Sequence, residues 1–287
     1  QIDALYGPFT ELLPNSQYID YENPFIRYDF QQEIEGYECP WGNVQLAFIY
    51  NQEKVPSPPV DLKALAQWTQ AHPGKFTLPT EFTGMTVLKS WLYALAGGGE
   101  VLRGDFDEKK YEKYSAQLWE YINQNKKNWW KKGETFPNTL AQMHQLFANG
   151  ELYFTMSNND SEVDNKIQQG LFPVTSRAFV PAGGSIQNSH YLGIVGHSAH
   201  KAAALVTINL LISPEAQLEK MKPNVWGDGT VLAFQKLPEN WQKSFANIPG
   251  RNYAPSRQDI QARALMEPAP EYMIRLYEDF RKKVIER

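Results

Sequence analysis

Two tryptophans stand beside glycine in stretches that read as loop, Trp41-Gly42 after Cys39-Pro40, and Trp226-Gly227-Asp228. An indole next to a residue without a side chain can present its face to a ring or a cation. Thr83-Gly84-Met85-Thr86 opens a predicted helix, where free backbone N–H groups favour a polar ligand atom and Gly84 permits close approach. Ordinary capping by Thr83 explains the same residues. Met156-Ser157-Asn158-Asn159 follows a predicted strand, the place where α/β proteins hold ligands, although a plain polar loop reads equally well.

Other chemistry finds less support. G-x-S-x-G, H-E-x-x-H, G-x-x-x-x-G-K-[ST] and G-x-G-x-x-G do not occur, so the common hydrolase, zinc-protease, P-loop and dinucleotide signatures are missing. Asp160, Glu162 and Asp164 alternate like the start of a calcium loop, but Asn165 and Leu171 stand where Gly and Glu are required. His190, His197 and His200 lack a carboxylate or thiol at ligand spacing, so neither a metal nor a cofactor is expected. Cys39 is the single cysteine and cannot form an intramolecular disulfide. An alternative reading is a carbohydrate-active enzyme whose acid and base come from Glu81, Asp160 and Asp228.

The elements that must position these residues follow from composition and periodicity. With 287 residues, 42% hydrophobic and 21% charged, the chain can bury a large core and has the length of about two domains. A net charge of -4 lacks the broad basic field that a nucleic-acid partner needs. The most apolar run, 202–212, is broken by Thr207 and Asn209 and is far shorter than a membrane span. Branched and aromatic residues predict a strand at 44–50, and further extended segments at 76–78, 152–156, 177–180 and 191–195. Helices are predicted at 62–71 after the cap Asp61, from Thr83 to the Gly97-Gly98-Gly99 stop, and at 108–126, 139–148 and 199–212. Ser213-Pro214 restarts a helix. Alternating strands and helices indicate an α/β protein.

Taken together, Cys39-Pro40-Trp41-Gly42 leading into 45–51, Pro58-Pro59 before a helix, Phe82-Thr83-Gly84, Gly150-Glu151 before a strand ending in Met156-Ser157, and 183–194 as a return crossing resemble the solute-binding proteins of ABC importers in the same order. The segment 202–212 followed by Ser213-Pro214-Glu215-Ala216-Gln217 fits the same family. The resemblance covers nearly the whole chain and is closest to a branch near the thiamine, polyamine and ferric-iron binders. It implies an α/β, two-lobe periplasmic-binding-protein fold of type II. It places 1–40 in lobe 1, 41–189 in lobe 2 with the hinge crossings, and 190–287 in the mostly helical C-terminal part of lobe 1. It also implies a non-enzymatic, periplasmic protein that holds a small polar organic solute in an interlobe cleft and delivers it to an ABC permease in the inner membrane. The family's site maps onto Trp41, Gly42 and Gln45 at the first crossing, Thr83 and Gly84 at the helix start, Ser157 and Asn158 after the strand, Asn188 and His190 on the return, and Trp226 and Asp228. Iron-binding relatives use adjacent tyrosines, and this chain has no such pair, so iron is not implied.

If 51–174 forms the second lobe, lobe 1 must come from residues 1 to about 40 and 190–287, which offer mainly helices and at most two or three strands, too few for its sheet. Leu5-Tyr6-Gly7-Pro8-Phe9 resembles a segment that in the family follows an opening series of strands and helices, about 80 or more residues by ordinary βαβ sizes. The expectation is a fragment of a longer precursor that lacks the N-terminal part of lobe 1, a signal peptide and some ligand contacts.

Overall fold

A computed structural model describes residues 5–286, which leaves the chain ends included in the lobe 1 assignment, 1–4 and 287, outside the described residues. After two short 3-10 turns, Thr10–Leu12 and Pro14–Tyr18, come α1 (Pro24–Arg27) and a small hairpin of β1 (Tyr28–Asp29) and β2 (Gln32–Glu33). It continues through β3 (Cys39–Gln45), β4 (Ala47–Asn51), α2 (Leu62–Ala71), α3 (Phe82–Ala96), α4 (Glu108–Asn125) and α5 (Leu140–Ala148). Next come β5 (Phe154–Ser157), α6 (Glu162–Gln168), β6 (Ser176–Phe179) and β7 (Ser185–Leu192). The remainder comprises α7 (Lys201–Leu211), α8 (Pro214–Met221), α9 (Glu239–Ala246), α10 (Arg257–Gln261), β8 (Ala264–Leu265) and α11 (Pro270–Phe280). Two units form, Gln1–Val44 with Asn188–Gly250, and Gln45–Gln187 with Arg251–Arg287. The chain passes between them inside β3, inside β7 and after Gly250.

The second unit is organised by β4, which pairs antiparallel with β5 on one side and β6 on the other. Because side chains alternate along a strand, Phe48 and Tyr50 join a core with Leu65, Trp91, Leu118 and Trp129, while Ala47 and Ile49 join Phe147, Val163, Ile167 and Phe172. Burial on both faces explains why the run that forms this strand is apolar without alternation. It is also interrupted: Leu46 separates β3 from β4 and donates its N–H to the Ile186 carbonyl at 2.9 Å.

In the first unit, Phe9, Ile19, Ile26, Ile194, Ile208, Ile212 and Val231 pack together around Cys39, whose thiol burial pushes its pKa up to about 12. Helix α7 buries Ile208 alone, and Val206 and Leu210 are 73% and 62% exposed.

Several boundaries differ from the sequence reading. Helix α3 starts at Phe82 with Glu81 as its N-cap, so Thr83 is the second helical residue and not the cap. Residues 76–78 carry no strand; the Phe76 carbonyl accepts instead from Trp130 N at 2.8 Å. The strand predicted at 191–195 begins earlier, at Ser185, inside the 183–194 return crossing, and its polar residues Ser185, Gln187 and Ser189 are buried. The stretch 190–287, assigned to one lobe, divides at Gly250: Tyr272, Leu276 and Phe280, spaced four apart on α11, pack into the core of Trp119 and Tyr111 in the second unit.

The same unit buries an ion pair. Lys89 Nζ donates to Glu267 Oε2 at 2.5 Å with both side chains at most 5% exposed. Removing one partner strands a buried charge, whereas replacing both with apolar groups is close to neutral. Lys89→Met alone should therefore cost about 3–5 kcal/mol in urea unfolding, and Lys89→Met with Glu267→Leu should recover most of it. A double variant as unstable as the single one would show that shape, and not charge, governs this position.

Candidate functional site

Most of the sequence-predicted residues fall into one cluster on each unit. In the first unit, Trp41 on β3 and Trp226 after α8 place their ring centroids 4.9 Å apart with planes tilted by 58°. Trp226 is 40% exposed, so this pair is not core packing. The position of Trp41 is set through its backbone. Gln217, completely buried on α8, donates from Nε2 to the Trp41 carbonyl at 2.9 Å and the Leu211 carbonyl at 3.0 Å. Its Oε1 accepts from the Thr230 hydroxyl at 2.8 Å and from Val231 N at 3.3 Å.

One turn further along α8, Lys220 Nζ donates to Asp228 Oδ2 at 3.0 Å and to the Gly229 carbonyl at 2.5 Å, and lies 5.5 Å from the Trp41 ring centre. Asp228 is fully buried and its second oxygen accepts from Gly229 N at 2.9 Å. This carboxylate is why residue 42 is glycine. A Cβ at Gly42 would lie 2.3 Å from Asp228 Oδ2 and 3.0 Å from the His190 ring, closer than any side chain can approach. Burial holds the His190 pKa below its ordinary value, Asp228 opposing and Lys220 adding to the effect.

In the second unit, Asn158 Nδ2 donates to the Thr83 hydroxyl at 3.1 Å, while Asn158 Oδ1 is buried with no hydrogen-bond partner among the described residues. The Ser157 hydroxyl donates to Glu162 Oε2 and accepts from Asn159 N at 2.9 Å, so it is already committed. His144 lies 4.0 Å from Glu162, but its Nε2 faces the Met156 carbonyl at 3.0 Å and therefore carries the proton. Burial lowers the His144 pKa as well, against the pull of Glu162. Gly84 is required by close approach: a Cβ there would lie 1.8 Å from the Pro79 carbonyl oxygen.

Gln45 and Asn188 do not join either cluster. Gln45 donates its N–H to Asp160 Oδ1 at 3.0 Å and its amide to Ser185 Oγ and the Ile260 carbonyl, at 3.2 and 3.4 Å. The Asn188 carbonyl accepts from Asn43 Nδ2 at 3.4 Å. Sequence reasoning missed Gln217 and Lys220; their i, i+3 spacing on a short helix was the available signal. Among the described residues no group of three or more His, Cys, Asp or Glu is arranged to hold a metal ion, and no helix is long and apolar enough to cross a membrane.

Asp228→Asn should destabilise the protein by about 3–5 kcal/mol, because the buried Lys220 ammonium loses its carboxylate partner; loss below about 1 kcal/mol in denaturant unfolding would contradict the desolvated pair. The two histidines give a pH dependence of defined sign. Their folded pKa values lie below the unfolded value near 6.5, so the unfolded chain binds more protons in this window and stability rises with pH. The thermal midpoint should be highest above about pH 7 and fall as pH drops below about 6.5. His144→Gln and His190→Gln should each flatten that fall, and an unchanged slope in both would contradict it.

Comparisons with known proteins agree with this architecture. Residues 2–249 match the family described as bacterial extracellular solute-binding protein. The chain is 36% identical over 246 residues to Protein YnjB of Escherichia coli strain K12, a match covering 85% of this chain and 63% of that protein's length. A chain from Listeria monocytogenes described as a spermidine/putrescine ABC transporter superposes with a TM-score of 0.66 at 16% identity, covering 100% of this chain and 79% of its own. A periplasmic thiamin binding protein gives 0.61 at 16% identity, with 100% and 73% covered. These two structural neighbours share the type II periplasmic-binding-protein fold, and this chain has it too. The chain belongs to the family of bacterial extracellular solute-binding proteins.

Proposed function

We propose that this chain captures a small polar organic solute with a ring or cationic centre, thiamine-like or polyamine-like, in the periplasm and delivers it to an ABC permease in the inner membrane. The observation that carries this reading is the Trp41–Trp226 pair, two indoles 4.9 Å apart with one of them 40% exposed. Exposed indole faces bind rings by stacking and cations through the ring quadrupole. Asn158 Oδ1, buried and without a partner, is an acceptor suited to a ligand N–H donor. In this reading Trp41 and Trp226 form the stacking wall of the first unit, with His190 as a polar group beside them and Gly42 allowing close packing, while Thr83 and Asn158 are the polar groups of the second unit and Gly84 allows close packing there. Ser157, Gln45 and Asp228 are spent on internal partners and hold their neighbours in place, and the backbone carbonyl of Asn188 accepts from Asn43.

The carbohydrate-active reading needs a free acid and base, and each candidate carboxylate is occupied. Glu81 accepts from Leu140 N, Asp160 is paired with Arg251 and Arg257, and Asp228 with Lys220. Solute capture is therefore the better-supported function.

Mass spectrometry of molecules released on denaturation, with thermal-shift screening of thiamine, putrescine and spermidine against phosphate and sulfate, tests the ligand class. A ligand at about 100 times its Kd should add about 2.7 kcal/mol of stability. Trp41→Ala and Trp226→Ala should each weaken its binding about 2- to 30-fold, the equivalent of about 0.5–2 kcal/mol, at unchanged fold. Response to phosphate or sulfate alone would overturn the ring-or-cation assignment.

A further inference from the structure

The second unit contains a cavity of about 610 Å3 that none of the residues assigned to the solute lines. Its floor is the aromatic face of the β5-β4-β6 sheet, with Phe48 and Phe179 as cross-strand partners 5.7 Å apart, ring to ring, and Phe154 beside them. Leu65 of α2 and Trp91 of α3 form the walls. Protein interiors hold few voids larger than a water molecule, and small-molecule sites occupy about 300–1,000 Å3, mostly apolar, with a few placed polar groups.

The mouth carries the polar groups. Asp61 and Lys63 both line it. The Asp61 carboxylate caps α2 by accepting from Ala64 N at 2.7 Å, so its charge is met by the helix N-terminus. Lys63 is exposed and has no hydrogen bond or ion pair among the described residues. We propose that this cavity is a second binding site, for a medium-chain carboxylate whose acyl body lies against the rings and whose head meets the Lys63 ammonium.

Calorimetric titration of the intact chain with decanoate, 1-decanol and decylamine, followed in parallel by tryptophan fluorescence because Trp91 lines the cavity, tests the assignment. Decanoate is expected to bind saturably and more tightly than decanol, with decylamine weakest. Lys63→Gln should lower decanoate affinity about three- to fivefold, the size of one exposed ion pair, and leave decanol unchanged. Ala94→Trp, at an exposed lining position, should abolish binding of both by filling the entrance. Val60→Trp, 47% exposed on a different lining segment, provides an independent block should the first variant misfold. Absence of saturable binding to the wild type, equal affinity for decanoate and decylamine, or full binding by a folded blocking variant would each overturn the proposal.

Discussion

The second unit depends on satisfying one buried carboxylate. Asp160 is 2% exposed and sits in the loop before α6. An isolated carboxylate at that depth would cost far more than the few kcal/mol by which domains are stable, so it persists only when surrounded by donors. Those donors come from distant positions: Gln45 N at the point where the chain enters the unit, and Arg251 and Arg257 just after it returns. Arg251 and Arg257 also both donate to Ser161 Oγ, at 3.0 and 3.2 Å, and Asp164 next in line accepts from Asn252 N at 2.6 Å. Burial pulls the Arg251 pKa down while Asp160 pushes it back. The charge can be neutralised only when entry, loop and return meet, which ties the unit's boundaries to its folding.

From that anchor the layers follow. Gln45, fixed by Asp160, precedes β4 by two residues, so the phase of the strand's alternation is set before it enters the sheet. A one-residue slip would turn Phe48 and Tyr50 toward the small pocket of Phe147 and Val163, and leave the space beside Trp91 to Ala47 and Ile49. The aromatic face thus owes its orientation to a polar contact at its edge.

What could be read from sequence was local. Asp61 and Ser213 cap helices through N–H groups three residues on, at 2.7 and 3.2 Å, and a cap of that kind needs no information from elsewhere in the chain. Glu81 could not be read this way, because its carboxylate is used 59 residues away at the N-terminus of α5 and not on its own helix. The start of β7 was missing from the strand predicted at 191–195 because Ser185, Gln187 and Ser189 carry no apolar signal, yet Ser185 Oγ donates to the Leu46 carbonyl at 2.6 Å and Asn43 Nδ2 donates to Ser189 Oγ at 3.0 Å. The tryptophan pair was visible as two Trp-Gly steps, whereas Gln217 and Lys220, which support it, resemble the solvated face of any short helix.

The order of strength among those supports decides what the tryptophans are free to do. Lys220 lies 5.5 Å from the Trp41 ring, a contact of about 0.5–2 kcal/mol at most and already shared with the Asp228 pair. The Gln217 amide makes four hydrogen bonds from a fully buried position, each worth about 0.5–1.5 kcal/mol net and more to leave unmade. The backbone of Trp41 is therefore held more firmly than its ring. On the proposed stacking role, a ring anchored through its main chain and only lightly attracted from behind can turn without loosening the strand that carries it, and its 58° tilt to Trp226 is not a close parallel stack that such turning would break.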